Sequence, residues 1–213
     1  MEIYILRHGT TEWNAVHRIQ GTTDIMLDGA GLEMARQTGK YFKENGISFD
    51  AVFCSPLKRA RMTAEIVSNG APITEDFRLR ELEFGFQEGG VVEELEKQDV
   101  PLKFFRTRPA LYDEKAEEFP DVEKMSHLCE RAAEFLKEVV EPIKDKKRIL
   151  IAAHGACNKG LLMHVRGESD IDKFWGIGLQ PNCGVTVVGF DTAKGTYNII
   201  EENRIFYEIT KNA

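Results

Sequence analysis

The chain has no cysteine pair at metal-binding or redox spacing: Cys54, Cys129, Cys157 and Cys183 are scattered and form no CxxC motif. Neither a zinc knuckle nor a disulfide framework is therefore signalled. No N-x-[ST] sequon occurs either, and together these absences point to a reduced, cytoplasmic setting. Long apolar runs are missing. Ile149 to Ala153 is among the longest purely apolar stretches, far short of the roughly 20 residues that a membrane helix needs. Glu2, Arg7, His8 and Glu12 break up the first 15 positions, so no secretory-signal core is expected there.

Positive charge is also in short supply. The 28 Lys+Arg stand against 35 Asp+Glu, a formal net charge of −7, which argues against a nucleic-acid partner, because a phosphate backbone demands a basic face. The one short basic run, Lys144, Lys146, Lys147 and Arg148, is interrupted by Asp145 and reads as a solvated connection. HExxH, Walker A and GxSxG motifs are absent, as is any Cys/His cluster. Gly176-x-Gly178 meets Pro181 where a dinucleotide fingerprint would place its third glycine. The sequence thus implies neither a metal nor a cofactor, and nothing in it sets an oligomeric state.

What is present is an ordinary globular composition, 42% hydrophobic and 30% charged over 213 residues. A chain of this size buries about 70% of its unfolded surface without a staple, so residues 1–213 are expected to form one domain. Met1 to Leu6 reads as a short buried strand. Asp28 is the expected N-cap of a helix of about 15 residues that ends with Gly46 in the C′ position. Leu32, Ala35, Gly39 and Phe42 share one face of it. Ala51 to Cys54 predicts a second strand, followed by a helix with Ser55 as N-cap and Pro56 at N1, running to Ser68. Ile73 to Phe77 predicts a third strand. The polar stretch 88–119 reads as a helical insertion, with prolines at 101 and 109. A long helix is expected over Asp121 to Glu141, its apolar face carrying Val122, Met125, Cys129, Ala132, Leu136 and Val139. Arg148 to Ala153 has the continuous apolar character of a parallel, doubly covered strand. Val185–Phe190 and Tyr197–Glu201 flank a turn and predict a hairpin.

Alternating strands and helices predict an α/β fold, a three-layer sandwich with a mostly parallel central sheet, helices on both faces and the insertion over the site. Ligands of such folds bind beyond the carboxyl ends of the strands. Two His-Gly dipeptides, His8-Gly9 and His154-Gly155, follow predicted strands, and so does Ser55 to Arg59. Three charged constellations therefore fall on one edge.

Arg7 offers a planar fork of donors for phosphate oxygens, and a neutral imidazole at His8 can attack a phosphoryl group. Arg59, in the first turn of its helix, can face the same anion, while Lys58 and Arg61 point elsewhere. Cleaving a phosphate ester also needs an acid for the departing alkoxide and a base for water; Glu81 and Glu83 are both candidates. His154 can donate to a non-bridging oxygen. His127 falls outside the apolar face of its helix, His164 is a helix-end residue, and His17 is isolated. Cys157 reads as a bystander. Trp13, Phe84, Phe86, Phe104, Phe105 and Trp175 could wall an apolar pocket, but aromatic side chains are more often core, and each reads first as a core residue.

Taken in order, Arg7-His8-Gly9-x-Thr11-x-Trp13-Asn14, Gly21-x-x-Asp24-x-x-Leu27-x-x-x-Gly31, Ser55-x-Leu57-x-Arg59-Ala60-x-x-Thr63-Ala64, Glu81-x-x-x-Gly85-x-x-Glu88-Gly89 and His154-Gly155 resemble the histidine phosphatase superfamily, in its phosphoglycerate-mutase-like branch. The resemblance implies a metal-independent phosphomonoesterase acting on a small phosphorylated metabolite through a phosphohistidine. It implies His8 as nucleophile, Arg7, Arg59 and His154 as phosphate ligands, and Asn14 lining the same pocket. Glu81 would be the proton donor, with Glu83 in reserve. The sequence departs from the family at Ala156-Cys157-Asn158-Lys159, where many relatives carry Gly and, three residues on, Arg. It also lacks the Arg-Arg pair of the family's mutases; Lys103, Arg106 and Arg108 are only loosely similar. That favours hydrolysis over the alternative, a phosphoglycerate mutase. A catalytically idle binding protein on the same fold is the reading from another class.

Overall fold

A computed structural model describes residues 1–208. In chain order it contains β1 (Glu2–Arg7), α1 (Glu12–Ala15), α2 (Gly29–Glu44), β2 (Ala51–Cys54), α3 (Lys58–Val67) and β3 (Ile73–Glu75). There follow α4 (Val92–Leu95), α5 (Pro109–Ala116), α6 (Met125–Phe135), β4 (Arg148–Ala153), α7 (Gly155–Arg166), β5 (Val185–Asp191) and β6 (Thr196–Arg204). The sheet has six strands in the order β3-β2-β4-β1-β5-β6. Pairing is parallel from β3 through β1; β5 runs antiparallel to β1 and closes the hairpin with β6.

Strand geometry sends alternate side chains to opposite faces, and β1 shows what that does here. Tyr4 and Leu6 pack with Ala35 and Phe42 of α2 and Ala64 and Val67 of α3. Ile3 and Ile5 face the other way, into the core formed with α6 and α7 around Leu128, Phe135 and Leu161. Each face thus has its own apolar cluster, and the three-layer α/β architecture is the one the sequence leads one to expect.

Asp28 caps α2 as anticipated, accepting the Gly31 N–H at 2.6 Å. Gly46, at φ +67°, takes the left-handed position after the helix. Gly39 is required by packing, since a Cβ there would stand 2.8 Å from the Ile66 carbonyl of α3.

Three elements differ from expectation. α3 begins at Lys58 with Leu57 as N-cap, not at Ser55-Pro56. The Ser55 hydroxyl instead accepts the Leu57 N–H at 3.3 Å and meets His154 Nε2 at 2.8 Å. The third strand stops at Glu75, because Asp76 accepts the Arg78 N–H and turns the chain into a short 3₁₀ segment that leaves Phe77 exposed. The long helix is regular only over Met125–Phe135 and continues as one π turn, Leu136–Val140. That extra residue per turn moves the buried position from Val139 to Val140, and Leu128 takes the core place expected of Cys129.

Candidate active site

Parallel pairing of β1 with β4 matches Arg7 to Ala153, so the residues that follow, His8 and His154, emerge side by side. The His8 N–H still bonds the Ala153 carbonyl at 3.1 Å, and the two imidazole centroids are 5.2 Å apart. Gly9 lets the chain turn hard against α2: a Cβ there would stand 2.5 Å from the Gly31 carbonyl oxygen.

Hydrogen bonds set both tautomers. His8 Nδ1 lies 2.6 Å from the Gly9 carbonyl, which can only accept, so Nδ1 carries the proton and Nε2 keeps its lone pair. For His154, the buried Ser55 hydroxyl accepts the Leu57 N–H and has no other acceptor for its own hydrogen among the described residues, so it donates to His154 Nε2. His154 Nδ1 is then the protonated nitrogen, buried and without a protein partner among the described residues.

Arg7 and Arg59 are anchored from behind by carbonyls. Arg7 Nη1 donates to Gln180 at 2.6 Å, and Arg59 Nη1 and Nη2 donate to Thr23 at 2.8 Å and Gly21 at 2.6 Å. Each guanidinium keeps a buried Nε with no hydrogen-bond partner among the described residues. Burial lowers the pKa of Arg7 and takes that of Arg59 down to about 10, so both stay cationic at neutral pH.

Burial also holds both histidines well below their ordinary 6.5, with Arg59 the next cause for each. At pH 6.5, where an unshifted histidine is about half protonated, the NMR ring signals of His8 and His154 are expected at neutral-imidazole positions. Half-titrated signals there would contradict the burial. Linkage fixes the sign for stability. Both folded pKa values are depressed, so the contribution is intact above about 6.5 and declines as pH falls below it, because the unfolded chain takes up protons that the folded site refuses.

Glu81 approaches from the loop before Leu82, at the start of α7. Its carboxylate accepts the N–H groups of Ala156 at 3.2 Å, Cys157 at 3.0 Å and Leu82 at 3.0 Å. The first turn of α7 therefore offers its free donors to this acid. A Cβ added at Gly155 would lie 3.6 Å from both Glu81 Oε2 and Arg7 Nε, so acid and cation converge over that glycine.

Glu83 does not reach the site. It is exposed, absent from the pocket lining, and tied through its backbone to Glu123.

Beside them lies a pocket of about 550 Å³, which the fully buried His154 does not itself line. Arg7, His8, Asn14, Arg59 and Glu81 all line it. Asn14 is oriented by the α1 capping box, its Oδ1 accepting the Thr11 N–H at 3.1 Å. Trp13, Phe84, Phe105 and Trp175 form walls, whereas Phe86 is half exposed against Phe119 and Phe104 packs on the core. Segment 88–119 contributes Val92, Glu93, Glu96, Phe105 and Arg106 to the lining.

The family model described as "Histidine phosphatase superfamily (branch 1)" matches residues 3–203. The chain belongs to the histidine phosphatase superfamily. It is 35% identical over 167 residues to the "Uncharacterized phosphatase PhoE" of Bacillus subtilis, covering 78% of this chain and 77% of that one. It is 34% identical over 200 residues to a 2,3-bisphosphoglycerate-dependent phosphoglycerate mutase of Neisseria meningitidis, covering 81% and 88%. Among solved structures it resembles Bacillus stearothermophilus YhfR, with a TM-score of 0.84 and 29% identity over 96% of this chain and 97% of that one.

Within this histidine phosphatase the unusual run after His154 has a defined place. Asn158 Nδ2 bonds Gln180 Oε1 at 2.8 Å, and the fully buried Lys159 reaches Glu202 at 3.4 Å. Arg166 holds the same carboxylate through two contacts of 2.7 Å. The run braces α7 against β6 and does not line the pocket, apart from Ala156. Burial raises the Cys157 thiol to about 12, which keeps it protonated and inert. His164 pairs with Glu141 at 2.9 Å and His127, largely exposed, with Glu123 at 3.1 Å.

Four supporting residues escaped the sequence reading. Ser55 sets the His154 tautomer, and Asn182 Nδ2 holds the carbonyls of His8 and Gly9 at 3.0 and 3.2 Å. Gln180 Nε2 bonds the carbonyls of Ile5 and Gly184, and Glu88 ties Thr22 and Thr23 to Phe84. Ser55 and Glu88 stood inside quoted motifs. Gln180 and Asn182 carried no local signal, because they act through tertiary contacts more than 170 positions from β1.

Proposed function

We propose that the protein is a metal-independent phosphomonoesterase that hydrolyses a small phosphorylated metabolite through a phosphohistidine. The observation that carries this reading is the His8 imidazole, with Nδ1–H fixed on Gly9 and its lone pair on Nε2, set in one pocket with the guanidinium groups of Arg7 and Arg59.

His8 Nε2 attacks phosphorus and forms a P–N bond as the P–O bond to the alcohol breaks. Arg7, Arg59 and the Nδ1–H of His154 bind the non-bridging oxygens, where the fixed positive charge is stronger than it would be in water. Glu81 gives its proton to the departing alkoxide. Water then attacks phosphorus, Glu81 takes its proton, the P–N bond breaks, and inorganic phosphate leaves with His8 restored. Cationic side chains supply the charge neutralisation that Mg²⁺ provides at many phosphoryl-transfer sites.

The test is release of phosphate from an aryl phosphate with and without excess EDTA, with equal rates expected. Activity abolished by EDTA and restored by Mg²⁺ would overturn the metal-free mechanism. Incubation with 3-phosphoglycerate separates hydrolysis from phosphoglycerate mutase action, free phosphate being expected and 2-phosphoglycerate indicating the mutase. Hydrolysis is favoured because, of the three basic side chains Lys103, Arg106 and Arg108, only Arg106 lines the pocket, where Glu93 and Glu96 also stand.

A further inference from the structure

The loop that carries Glu81 has little regular structure of its own. Between the 3₁₀ turn Phe77–Leu79 and the next one at Gly85, its carbonyls have no strand or helix partner. One side chain of α6 takes over that task.

Arg131 is mostly buried, its side chain 12% exposed, and all five of its N–H donors are used. Nη1 donates to the carbonyls of Arg78 at 2.6 Å and Arg80 at 2.8 Å, and Nη2 to that of Glu81 at 3.0 Å. The remaining donors, on Nε and Nη2, hold the Glu123 carboxylate at 2.7 and 2.9 Å. Glu123 extends the clamp: its Oε2 accepts the Glu83 N–H at 3.2 Å and its own N–H reaches the Glu83 carbonyl at 2.8 Å. The Tyr112 hydroxyl in turn donates to the Glu123 carbonyl at 3.3 Å.

We propose that Arg131 is a positioning residue for Glu81. This inference rests on the reading of Glu81 as the proton donor. The two ends of Glu81 are fixed separately, the carboxylate by the first turn of α7 and the backbone by the Arg131 fork. The arrangement keeps Arg131 charged: desolvation opposes the charge, but the Glu123 carboxylate outweighs it and raises the pKa above the ordinary arginine value. Its consequence is geometric. A proton donor must lie within hydrogen-bond reach of the leaving oxygen, and a misplacement of about 1 Å can cost about 100-fold. Lysine would keep the charge beside Glu123 but has three donors on one atom and cannot span three carbonyls.

The experiment compares Arg131→Lys with the wild type by kcat/KM, which reports the steps through transfer to His8. It uses an alkyl phosphate, whose alkoxide needs a proton, and 4-nitrophenyl phosphate, whose leaving group does not. The expected loss is roughly 10- to 100-fold on the alkyl ester and less than about threefold on the aryl ester. Introduced into a Glu81→Gln background, the same change should cost less than about threefold on either ester, because the two residues act as one unit. Equal losses on both esters, or no loss on either, would overturn the clamp. If Glu81→Gln alone shows no selectivity between the esters, the proton-donor reading fails, and the clamp with it. Near-UV circular dichroism checks the fold. Should Arg131→Lys not fold, Glu123→Gln keeps the three carbonyl bonds but loosens the fork, and must show a smaller loss of the same selectivity; an unselective loss there overturns the proposal.

Discussion

Replacing His8 with alanine is expected to lower kcat/KM by on the order of 10⁴-fold or more, because no other side chain at the site can become the phosphoryl carrier. His154 is the nearest alternative, with its ring 5.2 Å away, but its Nε2 is engaged by Ser55 and its Nδ1 carries the proton. Cys157, close in sequence, is a buried thiol held in its protonated form. Arg7 and Arg59 stay in place without His8, since their anchors are the carbonyls of Gln180, Thr23 and Gly21. The variant should therefore still bind phosphate or vanadate while losing turnover. Acid-labile labelled phosphoenzyme, trapped from the wild type by rapid quench, should be missing from the variant. Retention of a near-wild-type rate would remove His8 as the nucleophile. A wild-type protein that binds these anions but turns over no phosphate ester across a broad panel would instead be the idle binding protein on this fold.

The parts of the site legible in the sequence are those that sit at strand ends. Arg7, His8 and His154 directly follow or end runs of apolar residues that could only be buried strands, so their convergence follows from parallel pairing alone. Asp28 and Gly46 announced α2 for a similarly local reason, one through its side-chain oxygen and the other through its left-handed backbone. Local signals failed where a tertiary contact outbid them. Ser55 has the composition of an N-cap but serves His154, and α3 starts three residues later. Glu81 and Glu83 could not be separated by spacing, since what divides them is the contact of Glu81 with the first turn of α7 and of Glu83 with Glu123. The π turn after Phe135 has no sequence signature, and within it Val140 rather than Val139 is the buried position.

For Glu81→Gln, the expected loss of kcat/KM is about 10²- to 10⁴-fold on an alkyl phosphate, the usual range for a positioned proton donor. The substitution keeps the shape of the side chain and one oxygen, enough for the Cys157 N–H but not for the Ala156 N–H on the other oxygen, so part of the α7 contact persists while the transferable proton is lost. On 4-nitrophenyl phosphate the loss in kcat/KM should nearly vanish, because that leaving group departs without a proton. The same ester should still show a fall in kcat, since water attack on the phosphohistidine needs Glu81 as its base. The phosphorylated form of His8 should then accumulate during turnover, in contrast to the His8→Ala protein, which forms none. Steady-state kinetics on both esters, with the phosphoenzyme measured by rapid quench, decide the matter. A loss of the same size on both esters, without accumulation, would remove Glu81 from both proton transfers. It would leave the site with a nucleophile and an anion clamp but with its acid still to be found.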